Sequence, residues 1–496
     1  MTTATVRSTL NPAIRIALSS LAILCCSAPQ NHERPDIVLI TLDTTRPDRL
    51  GSYGNTAIET PNLDRLAGEG VRFENAFTPV PSTLPSHSSI MTGLHPARHG
   101  VHDNGIYRLD SSLTTLAEAL RGAGYATGAF VAAYVLDHRF GLDQGFEHYD
   151  DEMELPLQER RVDETDEEAD KPDQARLWLQ RQAAPYQRRA DSVTARAIGW
   201  LRTQTDKPIF LWVHYFDPHM SYDAPEPWTT HYDPDYDGAM DGRMATFLHA
   251  AVSRDGLNPQ SMSRRDLDHM IARYDGEISF MDSSIGVLFD ELEALDRWDE
   301  SLIVVVGDHG EGFGEHGQYW EHNGQIFDEV MRVPLIVRRP REESAGSVDS
   351  RLVSTLDVAP TVATEVGIPV WQETQGSSLF ASGEADQGSR RLLFEALRER
   401  QITDMPYSWI GLRGEDHKLI SNLDHETKIT KSGFYDLETD PDELRSVHME
   451  NADYLKVWEQ QALNLYSRLG SESPSNSSDE VDSTTREALE ALGYVD

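Results

Sequence analysis

An α/β sandwich around a mostly parallel sheet is the fold predicted for this 496-residue chain. Two observations predict it. Short apolar, β-branched runs recur between polar residues, and stretches of helical periodicity lie between those runs. Strands that alternate with helices bury a parallel sheet between two helical layers. A third observation, a shift in composition near Gly383–Ser389, sets off a smaller C-terminal α+β domain.

The first residues read as a targeting segment. Arg7 and Arg15 give a positive start, an apolar run extends from Ile14 to Cys26, and Cys26-Ser27-Ala28 has the small residues of a cleavage site. The run is short for a membrane span. Residues 1–28 are therefore assigned to a signal peptide. Lipid attachment at Cys25 or Cys26 and an uncleaved anchor are the alternatives. The expected location is periplasmic or extracellular, with the membrane reached only through such an N-terminal lipid anchor. Cleavage after Ala28 removes both cysteines, and with them any disulfide or thiol chemistry.

Asp36–Thr41 follows as the first buried strand, with similar runs at Tyr125–Val131, Pro208–His214, Leu302–Val306 and Pro334–Val337. Thr60-Pro61 caps and opens a helix that stops at Gly68 or Gly70. Val193, Ala197, Trp200 and Leu201 share one face of a helix over Asp191–Leu201. Ile278, Met281, Ile285, Leu288 and Leu292 do the same over Met270–Leu295. Two polar segments interrupt this order: the acidic stretch Asp150–Gln174, read as a surface loop or lid, and Tyr222–Arg264, read as an insertion near the site. Trp409–Arg413, His417–Ile420 and Gly433–Leu437 read as antiparallel strands, and Ser471–Ser478 as a linker before a last helix. The folded domains are then residues 34–388 and 389–496.

Hydrophobic residues make up 39% and charged residues 26%, the composition of a globular chain in water. The formal net charge of −39 excludes nucleic acid as a partner, because phosphate backbones demand a Lys/Arg surface. It serves solubility instead.

Three constellations could carry chemistry. Asp43 stands directly after the first strand, where open α/β sheets place their ligands, and offers a hard oxygen to a divalent cation. Asp308 and His309 follow another apolar strand and are flanked by Gly307 and Gly310. Those glycines permit the turn that would bring both side chains to one ion. Oxygen with imidazole suits zinc, manganese, or calcium with further oxygens. The third is Thr83–Gly93, which begins as a Ser/Thr/Pro loop and ends as a helix closing on Gly93. At a helix start the Thr83 hydroxyl is either a cap or a nucleophile, and backbone N–H groups there stabilise an anion.

Together these segments resemble the sulfatase family of the alkaline-phosphatase superfamily. The resemblance runs in order through Asp43–Gly54, Thr60–Ala67, Thr83–Gly93, His95–Val101, His214–His219, Gly307–Glu311, Gly314–Gly317 and Asp328–Leu335. It continues through Thr355–Thr361, Tyr435–Pro441 and Leu489–Val495, and so spans about residues 36 to 496. It implies an alkaline-phosphatase-like α/β/α sandwich with a small C-terminal domain. It also implies an enzyme that cleaves ester bonds, with Asp43, Asp308 and His309 as metal ligands and Thr83 in the nucleophile's place.

Two departures shape the chemistry. The family's order Cys-x-Pro-Ser-Arg reads here Thr83-Leu84-Pro85-Ser86-His87. A threonine cannot become formylglycine, because its β-carbon carries a methyl group. The family's second aspartate is Thr44. A threonine nucleophile forms an ester that water must open at the central atom, as in phosphatase and phosphodiesterase relatives of this superfamily. The expectation is a metal-dependent hydrolase of small-molecule, glycan or lipid esters, with phosphoric mono- or diesters favoured. A true sulfuric ester hydrolase, a phosphoryl transferase and a non-catalytic binding protein are the alternatives. One divalent ion (Ca, Mn or Zn) is expected. A second could be held by Asp217, His219 and His322, which otherwise contact substrate. Asn104, twenty-one residues after Thr83, matches a family substrate-binding position. His87, His95, His99 and His316 belong to the matching segments without an assigned role.

Overall fold

A computed structural model describes residues 34–105, 107–153, 187–243, 246, 252–253, 256–257, 262–381, 390–398, 407–424, 427–447, 452–471 and 473–474. The signal segment, most of the acidic stretch, the expected boundary at Gly383–Ser389, most of the Ser471–Ser478 linker and the final helix lie outside the described residues.

The strands are β1 (Asp36–Leu42), β2 (Val71–Phe77), β3 (Ala126–Phe130), β4 (His148–Asp150), β5 (Ile209–Tyr215), the two-residue ribbon β6 (Val252–Ser253) and β7 (Gly256–Leu257), β8 (Ser301–Gly307), β9 (Leu335–Arg338), β10 (Ser347–Ser354), β11 (Leu392–Arg398), β12 (Tyr407–Arg413), β13 (His417–Leu423) and β14 (Ile429–Asp436). Among the described residues, the helices of seven residues or more are α1 (Pro61–Glu69), α2 (Thr83–Thr92), α3 (Leu116–Gly122), α4 (Ala190–Leu201), α5 (Arg264–Ala294), α6 (Val358–Glu365) and α7 (Ala452–Ser471).

The main sheet has the order β10-β2-β9-β8-β1-β5-β3-β4. β1 lies at its centre, parallel to β5 on one side and β8 on the other. Successive residues of a strand point to opposite faces, and β1 is apolar on both. Ile37 and Leu39 pack toward α2, α3 and α6, with Leu84, Ile90, Leu116, Leu120 and Val362. Val38, Ile40 and Leu42 pack toward α1, α4 and α5, with Leu63, Leu66, Val193, Ile278 and Met281. This is the expected sandwich. The run at Pro334–Val337 gives β9, which is antiparallel to both β2 and β8 rather than parallel. The connection from Asp308 to Pro334 carries only the short helix Asp328–Met331, so no crossover helix returns the chain to the starting edge.

The second sheet is the antiparallel meander β11-β12-β13-β14. α7 covers it, with Trp458 and Ala462 against Ile410, Leu412, Leu419 and Phe434. Phe394 of β11 meets Phe77 at the end of β2, with ring centroids 5.9 Å apart, and joins the two sheets. Buried Lys418 reaches Asp328 at 2.7 Å and Glu443 at 2.8 Å in the same region. Among the described residues no helix is long and apolar enough to cross a membrane.

Candidate active site and metal centre

β1, β5 and β8 end together at the carboxyl edge of the sheet, where functional side chains of open α/β sheets gather. Asp43 follows β1 and Asp308 follows β8. Their backbones are tied to neighbouring strands, Asp43 N–H to the Tyr215 carbonyl at 3.0 Å and Asp308 N–H to the Leu42 carbonyl at 3.1 Å. Asp43, Asp308, His309 and Thr83 are all buried.

Three acceptor atoms converge. His309 Nε2 lies 3.7 Å from Asp43 Oδ1 and 3.4 Å from Asp308 Oδ2. His309 Nδ1 donates to the Gly310 carbonyl at 3.1 Å, so in the neutral ring Nε2 is a bare lone pair. Both Asp43 oxygens and Asp308 Oδ2 are buried without a hydrogen-bond partner. Burial pushes the Asp43 carboxyl up to about 6. Burial, and then the charge of Asp43, push Asp308 well above the carboxylate range. Burial holds His309 well below the usual imidazole value. Carboxylate oxygens that face one another and an imidazole lone pair with no hydrogen bond between them are the surroundings of a cation, and two oxygens with one imidazole nitrogen suit a divalent one.

Thr83 is the first residue of α2, not part of a preceding loop, and Ser82 holds the cap position without a side-chain cap bond. The Thr83 hydroxyl lies 3.4 Å from His309 Nε2. The backbone donors just after Thr83 are already engaged or absent. Leu84 N–H goes to Asn104 Oδ1 at 2.8 Å, Pro85 has none, and Ser86 N–H goes to the Ser82 carbonyl. Asn104 thus closes the helix start from outside. Its Nδ2 stays buried without a partner.

His322 and His219 lie next to His309. The His322 ring lies 4.3 Å from His309 and 5.5 Å from His219, and its Nδ1 is 3.6 Å from Glu311 Oε1. His219 stacks on Phe216. Asp217 turns elsewhere. Its carboxyl takes the Ala190 N–H at the start of α4 and shares a hydrogen bond with Glu277 of α5. Burial raises both acids, Asp217 to about 6 and Glu277 well above its usual value, so this pair shares a proton and braces the loop after β5.

Sequence reasoning gave no role to His87 or His214, and the structure brings both to the centre. Among the described residues, His87, His214 and Asp308 form a second set with metal-ligand spacing. Their hydrogen bonds argue against that use. Ala132 N–H donates to His214 Nδ1 at 3.2 Å, so the neutral ring carries its proton on Nε2, 3.4 Å from Asp43 Oδ2. His87 Nδ1 donates to the Thr83 carbonyl at 2.7 Å, and its Nε2 meets Thr41 Oγ1 at 3.0 Å. The available signal was Thr41 beside His214, polar residues in register at the ends of two buried apolar strands. Of the remaining histidines, His95 Nδ1 accepts from Ala97 N–H and His99 Nδ1 from Val101 N–H, both holding turns.

Candidate cation ligands buried at the carboxyl edge of an α/β/α sandwich, with a hydroxyl at their rim, are the arrangement of an ester hydrolase of the alkaline-phosphatase type. The sulfatase family model matches residues 35–368, and the model of the N-sulphoglucosamine sulphohydrolase C-terminal region matches residues 314–468. The chain belongs to the sulfatase family and is an ester-hydrolysing enzyme. It is 26% identical to an N-acetylglucosamine-6-O-sulfatase of Bacteroides thetaiotaomicron over 90% of this chain and 88% of the relative. It is 25% identical to a multifunctional alkaline phosphatase superfamily protein of Trinickia caryophylli over 84% and 91%. Its fold matches the phosphonate monoester hydrolase of Agrobacterium radiobacter (TM-score 0.67, 22% identity, 88% of this chain and 96% of the other). A structure in complex with D-glucosamine-2-N,6-O-disulfate matches likewise (TM-score 0.69, 21% identity, 90% and 100%).

Proposed function

We propose that this enzyme hydrolyses phosphoric mono- or diesters with Thr83 as its nucleophile. The observation that carries the reading is the buried Thr83 hydroxyl 3.4 Å from His309 Nε2, at the rim of the Asp43–Asp308–His309 set. A divalent cation held by Asp43, Asp308 and His309 supplies positive charge that neutralises the non-bridging oxygens and lowers the hydroxyl's pKa.

The chain's own groups do the rest. Thr83 Oγ bonds to phosphorus as the ester P–O bond breaks, and the alcohol leaves with a proton. Water then bonds to phosphorus, breaks the Thr83 Oγ–P bond and returns a proton to the hydroxyl, releasing phosphate from a monoester or a phosphomonoester from a diester. A threonine cannot form the aldehyde hydrate that lets family members expel sulfate by collapse, so the central atom must be attacked twice. Asn104 Nδ2 donates to a non-bridging oxygen, and His219 and His322 meet the leaving-group side. Thr44 adds no charge where the family has its second aspartate.

A sulfuric ester hydrolase is the second reading, favoured by the match to the relative named N-acetylglucosamine-6-O-sulfatase. Paired aryl phosphate, aryl phosphodiester and aryl sulfate substrates, assayed with manganese, zinc and calcium, separate the two. Phosphoester turnover is expected, and turnover of the sulfate alone overturns the proposal. Thr83→Ala should lose activity by about a thousandfold or more, while metal analysis finds the ion still bound. Retained activity would remove Thr83 from the nucleophile's role.

A further inference from the structure

His87 occupies the place where the family carries arginine, four residues after Thr83 in α2 and buried against Thr41 of β1 and Trp212 of β5. Its surroundings form a hydrogen-bonded line with one direction. Trp212 Nε1–H, which can only donate, meets Thr41 Oγ1 at 3.0 Å. Thr41 Oγ1 therefore has its own hydrogen to give, and His87 Nε2 stands 3.0 Å away. At the far side of the ring, the Thr83 carbonyl can only accept, and His87 Nδ1 stands 2.7 Å from it. Every hydrogen is assigned by a partner that has no choice. The His87 ring is fixed as the Nδ1–H tautomer, and Trp212 lies against it with ring centroids 5.6 Å apart.

We propose that His87 is a positioning residue. The line Trp212–Thr41–His87 grips the Thr83 carbonyl and so sets the rotation of the first turn of α2, which aims the Thr83 hydroxyl at the Asp43–Asp308–His309 set. The inference rests on the reading of Thr83 as nucleophile. It also takes His87 out of the metal's ligand set, although its Nδ1 lies only 3.7 Å from Asp308 Oδ2, because that nitrogen carries a hydrogen already given to Thr83. The family's arginine would bring a positive charge to this position; a neutral imidazole brings orientation alone.

Thr41→Val tests it, since valine keeps the shape and removes the hydroxyl. The loss of one buried hydrogen bond in the line should lower kcat by about ten- to a hundredfold, with KM and the metal-induced rise in melting temperature unchanged. His87→Phe should lower kcat to a similar degree, and adding Thr41→Val to it should cost nothing further, because one line broken twice is still one line. His87→Asn places an amide N–H close to where Nδ1–H was. It should restore most of the rate and be insensitive to Thr41→Val. An unchanged kcat in Thr41→Val, simple addition of the two losses, or loss of metal binding in His87→Phe would each overturn the proposal. Thr83→Ala keeps the two questions apart: if it is inactive while Thr41→Val is normal, Thr83 stands as nucleophile and the positioning role of His87 falls.

Discussion

Four histidines of this chain do four different things, and in each case the second ring nitrogen decides. His309 gives Nδ1–H to the Gly310 carbonyl and keeps a lone pair on Nε2. His214 accepts from Ala132 N–H and keeps a hydrogen on Nε2. His87 is fixed from both sides. His316 faces a carboxylate with Nδ1 (Glu329, 2.7 Å) and a carbonyl with Nε2 (Glu443, 3.2 Å), so both nitrogens must carry hydrogen. None of this is legible in the sequence, where all four are the same residue in matching segments. Asn104 obeys the same logic. Its Oδ1 is spent on Leu84 N–H and its Nδ2 is left to donate. Asn104→Asp keeps the acceptor for Leu84 but replaces the donor with an oxygen that repels an anionic ester. The melting temperature should stay, while kcat/KM falls by about a hundred- to a thousandfold. Steady-state rates equal to wild type would take Asn104 out of substrate contact.

At the scale of elements, the turn that delivers Asp43 is the sensitive one. Thr44 adopts a left-handed backbone with φ of 47°, unfavourable for a β-branched residue. Tyr274 of α5 offsets this by donating its hydroxyl to the Thr44 carbonyl at 2.8 Å and accepting Arg46 N–H at 3.0 Å. Tyr274→Phe leaves both groups buried and unpaired and should cost about 1–3 kcal/mol of stability. Urea denaturation reads this directly, and an unshifted midpoint would show that the turn holds itself. The central strands were legible because burial on both faces demands unbroken apolar runs; β1, β5 and β8 start and end within one or two residues of the expected bounds. β2 and β10 were not, because strands near a sheet edge interleave polar residues, as Arg72 and Glu74 do in β2. Strand direction in β9 was hidden as well, since an apolar run reads the same either way. Asp43, Asp308 and His309 were visible as residues at strand ends, whereas the turn of Asp217 toward Glu277 depends on α5, sixty residues away.

Over the whole molecule, the two sheets meet through the loop that follows Asp308 and His309. His316 stacks on Phe327, with centroids 3.6 Å apart, and joins Glu329 to the Glu443 carbonyl. Burial opposes its charge, but the hydrogen bond and charge of Glu329, with Glu443 beyond, raise it above the usual imidazole value. A group raised in the folded state stabilises fully below its unfolded value near 6.5 and loses that contribution as pH climbs through the folded value. Wild type should therefore melt higher than His316→Gln in mildly acidic buffer, and the gap should close on the alkaline side. A gap independent of pH would mean that packing on Phe327, not charge, is what His316 contributes.

Asp43, Asp308 and His309 also bear on folding. Two carboxylates withdrawn from water, with both Asp43 oxygens and Asp308 Oδ2 lacking a hydrogen bond, oppose the compact state wherever both are ionised. A cation held between them would bind the folded chain and find no such cage in the unfolded one, so its free concentration would set part of the folding equilibrium. The sandwich should therefore be more durable in a medium that supplies such an ion, which a rise in melting temperature on titration with manganese, zinc or calcium would register.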